Sequence, residues 1–98
     1  MVGWDAKSYR MGGRARGEVD GTTMWESVMS VSTKLFTSGF SCGISFRITS
    51  TQTGLSVMAE VVDECHDCRD DEVAASAGVW GFLGLDTNAG VVPVILTW

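Results

Sequence analysis

The chain has 98 residues, 45% hydrophobic and 19% charged, with seven basic against twelve acidic side chains and a formal net charge of -5. These totals read as globular rather than disordered and indicate one domain with a modest core. They also argue against nucleic acid, because a polyanion meets net repulsion. No apolar run approaches the roughly 18 residues that span a bilayer, so no membrane segment is expected and the chain reads as soluble.

The N-terminus lacks both the continuous apolar stretch and the small-residue cleavage site of a secretory leader, so a leader was either removed or never present. Residues 1–27 are rich in glycine, with Gly12, Gly13, Gly17 and Gly21 as turns, and are expected to form loops with one short strand. Val28 to Ser32 alternates apolar and small polar residues, which predicts a strand, and Thr33 to Phe36 predicts one helical turn before Gly39. From Cys42 to Thr49 the pattern is that of a half-buried strand, with Cys42, Ile44, Phe46 and Ile48 on the inner face. "TSTQTG" predicts a hairpin turn, and Leu55 to Val62 its partner strand, with Leu55, Val57, Ala59 and Val61 inward. Residues 74–83, "AASAGVWGFL", predict a short helix placing Val79, Trp80 and Leu83 on one side and ending near Gly84. "GVVPVILTW" predicts a last strand in which the Pro93 nitrogen faces no partner. Many short strands with little helix favour a closed barrel, since closure removes exposed edges.

The order of these segments resembles the double-psi β-barrel superfamily, which includes the expansin first domain, barwin-like and kiwellin-like proteins and small fungal loosenin-like proteins. "YRMGGRARG" is similar to the expansin opening, and "VSTKLFTSGFSCGISFRI" to its Leu-Ser-Thr-Ala-Leu-Phe stretch followed by Ser-Cys-Gly and a strand. "VVDEC" resembles the kiwellin and barwin core strand with its aspartate, and "AGVVPVILTW" the closing Ala-Gly-Ile/Val-Val-Pro-Val strand. The resemblance covers most of the chain and implies an all-β fold, a small six-stranded double-psi barrel with one or two short helices, over residues 1–98 as a single domain. Two departures stand out: Arg16 takes the place of the family's first cysteine, and Ala74 the place of its functional aspartate.

The segment "VVDECHDCRDDEVAAS" gathers two cysteines, the single histidine and a run of acids. A closed zinc site needs a distant second ligand pair, and only Cys42 remains, so no metal is expected. A redox pair is disfavoured because Asp63, Glu64, Asp67, Asp70, Asp71 and Glu72 surround the cysteines and oppose thiolate formation. The remaining reading is a structural disulfide tying two barrel strands, Cys42 with Cys65 or Cys68. Glycoside cleavage needs two placed carboxyl groups; Asp63 matches one, at a strand end where burial would raise its pKa, while its companion position is Ala74. The chain is therefore expected not to be an enzyme, with Asp63 the one candidate for any proton chemistry.

Four tryptophans raise the prospect of sugar binding, because a flat indole stacks on a pyranose face. Trp80 and Trp98 fit core positions, whereas Trp4, Tyr9 and Trp25 lie in poorly patterned sequence where exposure is expected. By resemblance, Tyr9 and Asp63 map to the family's polysaccharide groove, and Trp25 joins them by loop position; Ser8, Thr22 and Thr23 offer hydroxyls. The resulting expectation is a secreted, extracellular, cofactor-free monomer that binds cellulose, xylan or chitin type polysaccharide without cleaving it. The rival expectations are a secreted defence or virulence protein that binds or inhibits an enzyme, and a degenerate barrel without activity.

Overall fold

The computed structural model describes residues 6–12 and 27–98. Six strands close into a barrel: β1 (Ala6–Gly12), β2 (Val28–Ser32), β3 (Ser45–Ser50), β4 (Ser56–Cys65), β5 (Glu72–Ala75) and β6 (Val92–Thr97), in spatial order β1-β5-β2-β4-β3-β6. Two neighbouring pairs, β1 with β5 and β2 with β4, run parallel; the other four run antiparallel. Helix α1 (Thr33–Thr37) follows β2, and α2 (Ala77–Phe82) follows β5. The expected six-stranded double-psi barrel with two short helices is the fold observed.

Side-chain alternation fills the barrel. Tyr9 and Met11 from β1, Met29 and Val31 from β2, Phe46 and Ile48 from β3, and Ala59 and Val61 from β4 point inward, joined by Val73, Ala75, Val94 and Leu96. Trp80 and Val79 of α2 and Leu83 just beyond it extend the same core, and the Trp80 Nε1 donates to the Gly12 carbonyl at 3.0 Å. That bond satisfies the one polar atom of a large buried ring.

Three local expectations need correction. The strand predicted from Cys42 begins only at Ser45: Gly43, at φ +91°, and a hydrogen bond from Ile44 N to the Ser41 carbonyl make a turn there, which leaves Cys42 and Ile44 exposed. Leu55, expected inside, is 50% exposed, because it closes the hairpin turn that Ser50 organises by accepting from the Gln52 and Thr53 amides. The helix predicted from Ala74 begins at Ala77. Residues Glu72–Ala75 pair with β1 on one side and β2 on the other, and this ladder overrides the helix preference of two alanines.

The disulfide also differs from expectation: Cys65 pairs with Cys68, and Cys42 is a free, exposed thiol. Gly43 N donates to the Val61 carbonyl, so Cys42 sits beside a point four residues before Cys65 on β4, roughly 13 Å away at the ordinary strand rise. That exceeds the span a disulfide bridges. Cys68 instead folds back, its amide donating to the Cys65 carbonyl, and the bridge cross-links the turn that leaves β4.

Candidate functional site: the barrel mouth

The strand pairings place the starts of β1, β3 and β5 and the ends of β2, β4 and β6 at one end of the barrel. Ala6 pairs with Thr97 there, so the terminal Trp98 falls beside the opening. Phe40 stacks on Phe46 at 4.4 Å, and Trp98 meets both edge-on, at 5.3 Å from Phe40 and 5.8 Å from Phe46. Tyr9 approaches Phe40 edge-on at 6.1 Å. A pocket of about 510 Å³ opens over these rings, its apolar side formed by Tyr9, Leu35, Phe40 and Trp98. Its polar side carries Lys7, Lys34, Asp70 and Asp71, with the Ser8 and Ser38 hydroxyls between them.

Each wall has a local cause. Lys7 shares the inward face of β1 with Tyr9 but lies two residues nearer the open end, so its chain reaches the rim. Ser32 caps α1 by accepting from Leu35 N at 3.2 Å and also donates to the Asp70 carbonyl at 2.8 Å, which binds the helix to the acidic turn. Arg10 pairs with Asp71 at 3.5 Å, and the Arg10 amide donates to the Asp71 carbonyl. Tyr9 is 8% exposed, and burial raises its phenol pKa above the ordinary value.

Asp63 lies elsewhere. Register pairs Asp63 with Ser30, Ser30 with Ala74 and Ala74 with Gly12, a row across β4, β2, β5 and β1. Met29, Val31, Val73 and Ala75 alternate with this row and point into the core, so the row lies on the outer wall. A register shift between Met29 and Ser30 turns Asp63 outward. Its carboxylate is exposed and accepts from the Glu64 amide at 2.7 Å, so the burial expected for it is not found. Ala74 is 7% exposed and Ser30 fully buried, so where the family's acid was expected the wall is closed by a methyl group.

Tyr9 and Asp63, mapped by resemblance to one groove, are therefore not brought together: Tyr9 lines the mouth pocket and Asp63 does not. Tyr9 is also more buried than its surrounding sequence implied. Trp25, Thr22, Thr23 and Trp4 lie outside the described residues. Trp80 is core, as expected; Trp98, also assigned to the core, is 36% exposed and lines the pocket. Phe40, Lys7 and Lys34 were missed. The available signal was positional, since an aromatic at the end of the closing strand must sit where the barrel opens. The two bridged cysteines offer no thiolates to a metal, and among the described residues no three metal-ligating side chains gather.

A closed barrel with this strand order, two parallel pairs and crossing connections has the double-psi β-barrel fold. Its relatives and structural neighbours are consistent with that. The chain is 53% identical over 75 residues to ripening-related protein 6 of Oryza sativa subsp. japonica, a match covering 72% of this chain and 44% of that protein. It is 38% identical over 86 residues to kiwellin of Actinidia chinensis var. chinensis, covering 74% of this chain and 39% of that one. The chain thus spans less than half the length of either relative. Among solved structures, a mutant Clavibacter michiganensis expansin in complex with cellohexaose aligns with TM-score 0.73 at 21% identity, over 96% of this chain and 50% of that one. A Streptomyces papain inhibitor aligns with TM-score 0.69 at 15% identity, over 94% and 92%. No protein-family model matches the chain.

Proposed function

We infer that this barrel binds a wall polysaccharide non-hydrolytically outside the cell, and that the mouth, rather than the wall around Asp63, is where the sugar chain lies. The observation that carries this reading is the open pocket floored by Tyr9, Phe40 and the exposed face of Trp98. Its volume falls in the range of ligand sites, and Trp98 offers a stacking surface above the buried Tyr9 and Phe40 while hydroxyls and charged groups line the rim. The cellohexaose-bound expansin neighbour supports a sugar ligand for this shape. Held in the mouth, one chain would be competed away from its neighbours, which loosens a network without breaking a bond. By the resemblance, Ala74 stands where the second carboxyl group that hydrolysis needs was expected, which supports the non-hydrolytic reading.

The test is retention on insoluble cellulose, xylan and chitin. Trp98→Ala should lower retention on the preferred polymer by about tenfold or more, the scale of a lost stacking ring. Asp63→Asn should leave it unchanged. Equal retention of Trp98→Ala and the parent chain removes the mouth from consideration, and a selective loss in Asp63→Asn returns the site to the wall.

A second reading, enzyme inhibition, is favoured by the papain inhibitor, which this chain covers almost end to end, and by Ile44, 41% exposed beside Phe40 and Trp98. Papain assayed with micromolar protein should keep its full rate if the sugar reading holds; dose-dependent inhibition would favour this one.

A further inference from the structure

Beside the mouth, and sharing Trp98 with it, lies a second pocket of about 410 Å³ lined by Ser45, Arg47, Met58, Thr97 and Trp98. We propose that this pocket is a subsite for a sugar carboxylate, so that a chain crossing the mouth past Trp98 places a uronic acid unit against Arg47. The proposal rests on the polysaccharide reading above and adds a preference for acidic polymers.

Arg47 pairs in register with Met58 on one side and Thr97 on the other, so the three side chains form one row across β4, β3 and β6. Phe46 and Ile48 alternate with Arg47 and point inward, which puts this row on the outer face. Ser45, two residues earlier on the same face, adds a second hydroxyl to the lining besides that of Thr97. The site therefore combines a planar cation, two hydroxyls, a thioether and an indole. A guanidinium engages a carboxylate through two parallel N–H donors, the hydroxyls suit a sugar's own, and the apolar pair suits its C–H face.

Charge supports the assignment. In a chain with net charge -5, Arg47, Lys7 and Lys34 each lack a carboxylate within ion-pair distance among the described residues, whereas Arg10 is held by Asp71. Glu60, opposite Ser45 on the same outer face, makes no ion pair with Arg47. Of the four described cations without an ion pair, Lys7, Lys34 and Arg47 line the two pockets that Trp98 joins, and only Arg69, in the 66–71 turn, lies outside them. Asp70 and Asp71 share the mouth with the two lysines, while the Arg47 pocket has no acidic side chain in its lining. A neutral unit in the mouth and an acidic unit beside Arg47 fit that division.

The experiment measures retention of the full chain on immobilised polygalacturonate, its fully methyl-esterified form, a neutral β-glucan and poly-glutamate. Polygalacturonate should be favoured over the methyl ester by about tenfold, the scale of one lost charge-assisted contact. Arg47→Gln should abolish that preference while leaving neutral glucan retention intact, and Arg69→Gln, altering an exposed arginine in the 66–71 turn, should preserve it. The subsite is overturned if Arg47→Gln and the parent chain discriminate equally, if Arg69→Gln has the same effect, or if poly-glutamate is held as firmly as polygalacturonate. Loss of the acidic preference alone sinks only the subsite, while absence of retention on every sugar polymer sinks the mouth reading with it. Arg47 is exposed, and an unchanged far-ultraviolet spectrum and urea midpoint confirm that the variant folds.

Discussion

Two tryptophans mark two different regions of this barrel. On the wall side, Trp80 is 1% exposed, its indole nitrogen is satisfied by the Gly12 carbonyl, and the neighbouring row of Gly12, Ala74 and Ser30 is packed shut. At the mouth, Trp98 keeps an open face although two phenylalanines brace its edge. The same side chain is packed shut where the lattice of strands surrounds it and keeps an open face where the strands end. By the resemblance the family's acid was expected at Ala74, on the closed wall, whereas the open pocket lies at the other region.

The sharpest break of the comparison comes from Trp80. Trp80→Ala should lower stability by about 3–5 kcal/mol, read as a shift in the urea midpoint, because it removes a large buried ring. It also strands the Gly12 carbonyl. The same change at Trp98 should cost much less, and comparable losses would mean that the mouth is as structural as the wall. Next in size is Ala74→Asp, which puts a carboxyl group beside buried Ser30. Burial raises that group's pKa above its unfolded value, so the charge-dependent part of the penalty is absent at pH 3, and about 1–3 kcal/mol more should be lost as pH rises to 7. A variant equally stable at both values would indicate that the wall can still accommodate the acid.

The barrel itself was legible because β2, β6 and the first half of β4 carry alternating patterns, from Val28–Ser32 to the Pro93-marked closing strand, and because turns such as "TSTQTG" carry their own hydrogen-bonding residues. The β5 strand was not legible: four residues reading Glu-Val-Ala-Ala are held extended only by partners 44 and 62 residues away, Ser30 and Gly12, opposite Ala74. The outward position of Asp63 was not legible for a related reason. Alternation assigns Asp63 to the face of Val61, and only the register shift opposite Met29 and Ser30, which depends on another strand, turns it outward. Trp98 was misassigned because pattern gives a face and not the distance to the barrel's end.

Comparable in size to the acid introduced on the wall is the bridge at the mouth. Cys65 and Cys68 close a very short loop, which constrains the unfolded chain by roughly 2 kcal/mol. Reduction should lower the urea midpoint by that amount. It should also loosen the turn whose Asp70 and Asp71 flank the pocket, weakening retention at the mouth more than it disturbs the wall. Thiol counting on the denatured chain should find one reactive group before reduction and three after it, and Cys42→Ser should find none and then two. Two chains joined through Cys42 would show as a doubled mass without reductant.

The smallest effect belongs to Tyr9, and it is the cleanest to observe because Tyr9 is the only tyrosine in the sequence. Absorbance of the phenolate at 295 nm therefore reports a single group. Desolvation raises its pKa in the folded chain, so the titration midpoint should lie above the ordinary tyrosine value and fall back to it in concentrated urea. The sign follows from linkage: the unfolded chain releases the proton first, so Tyr9's contribution to stability is intact below about pH 10 and fades as pH climbs through the folded midpoint. Tyr9→Phe should flatten that part of the alkaline decline. A sugar chain that fills the mouth deepens the desolvation and should move the midpoint further upward, whereas one lying on the wall beside Asp63 should leave it where it was.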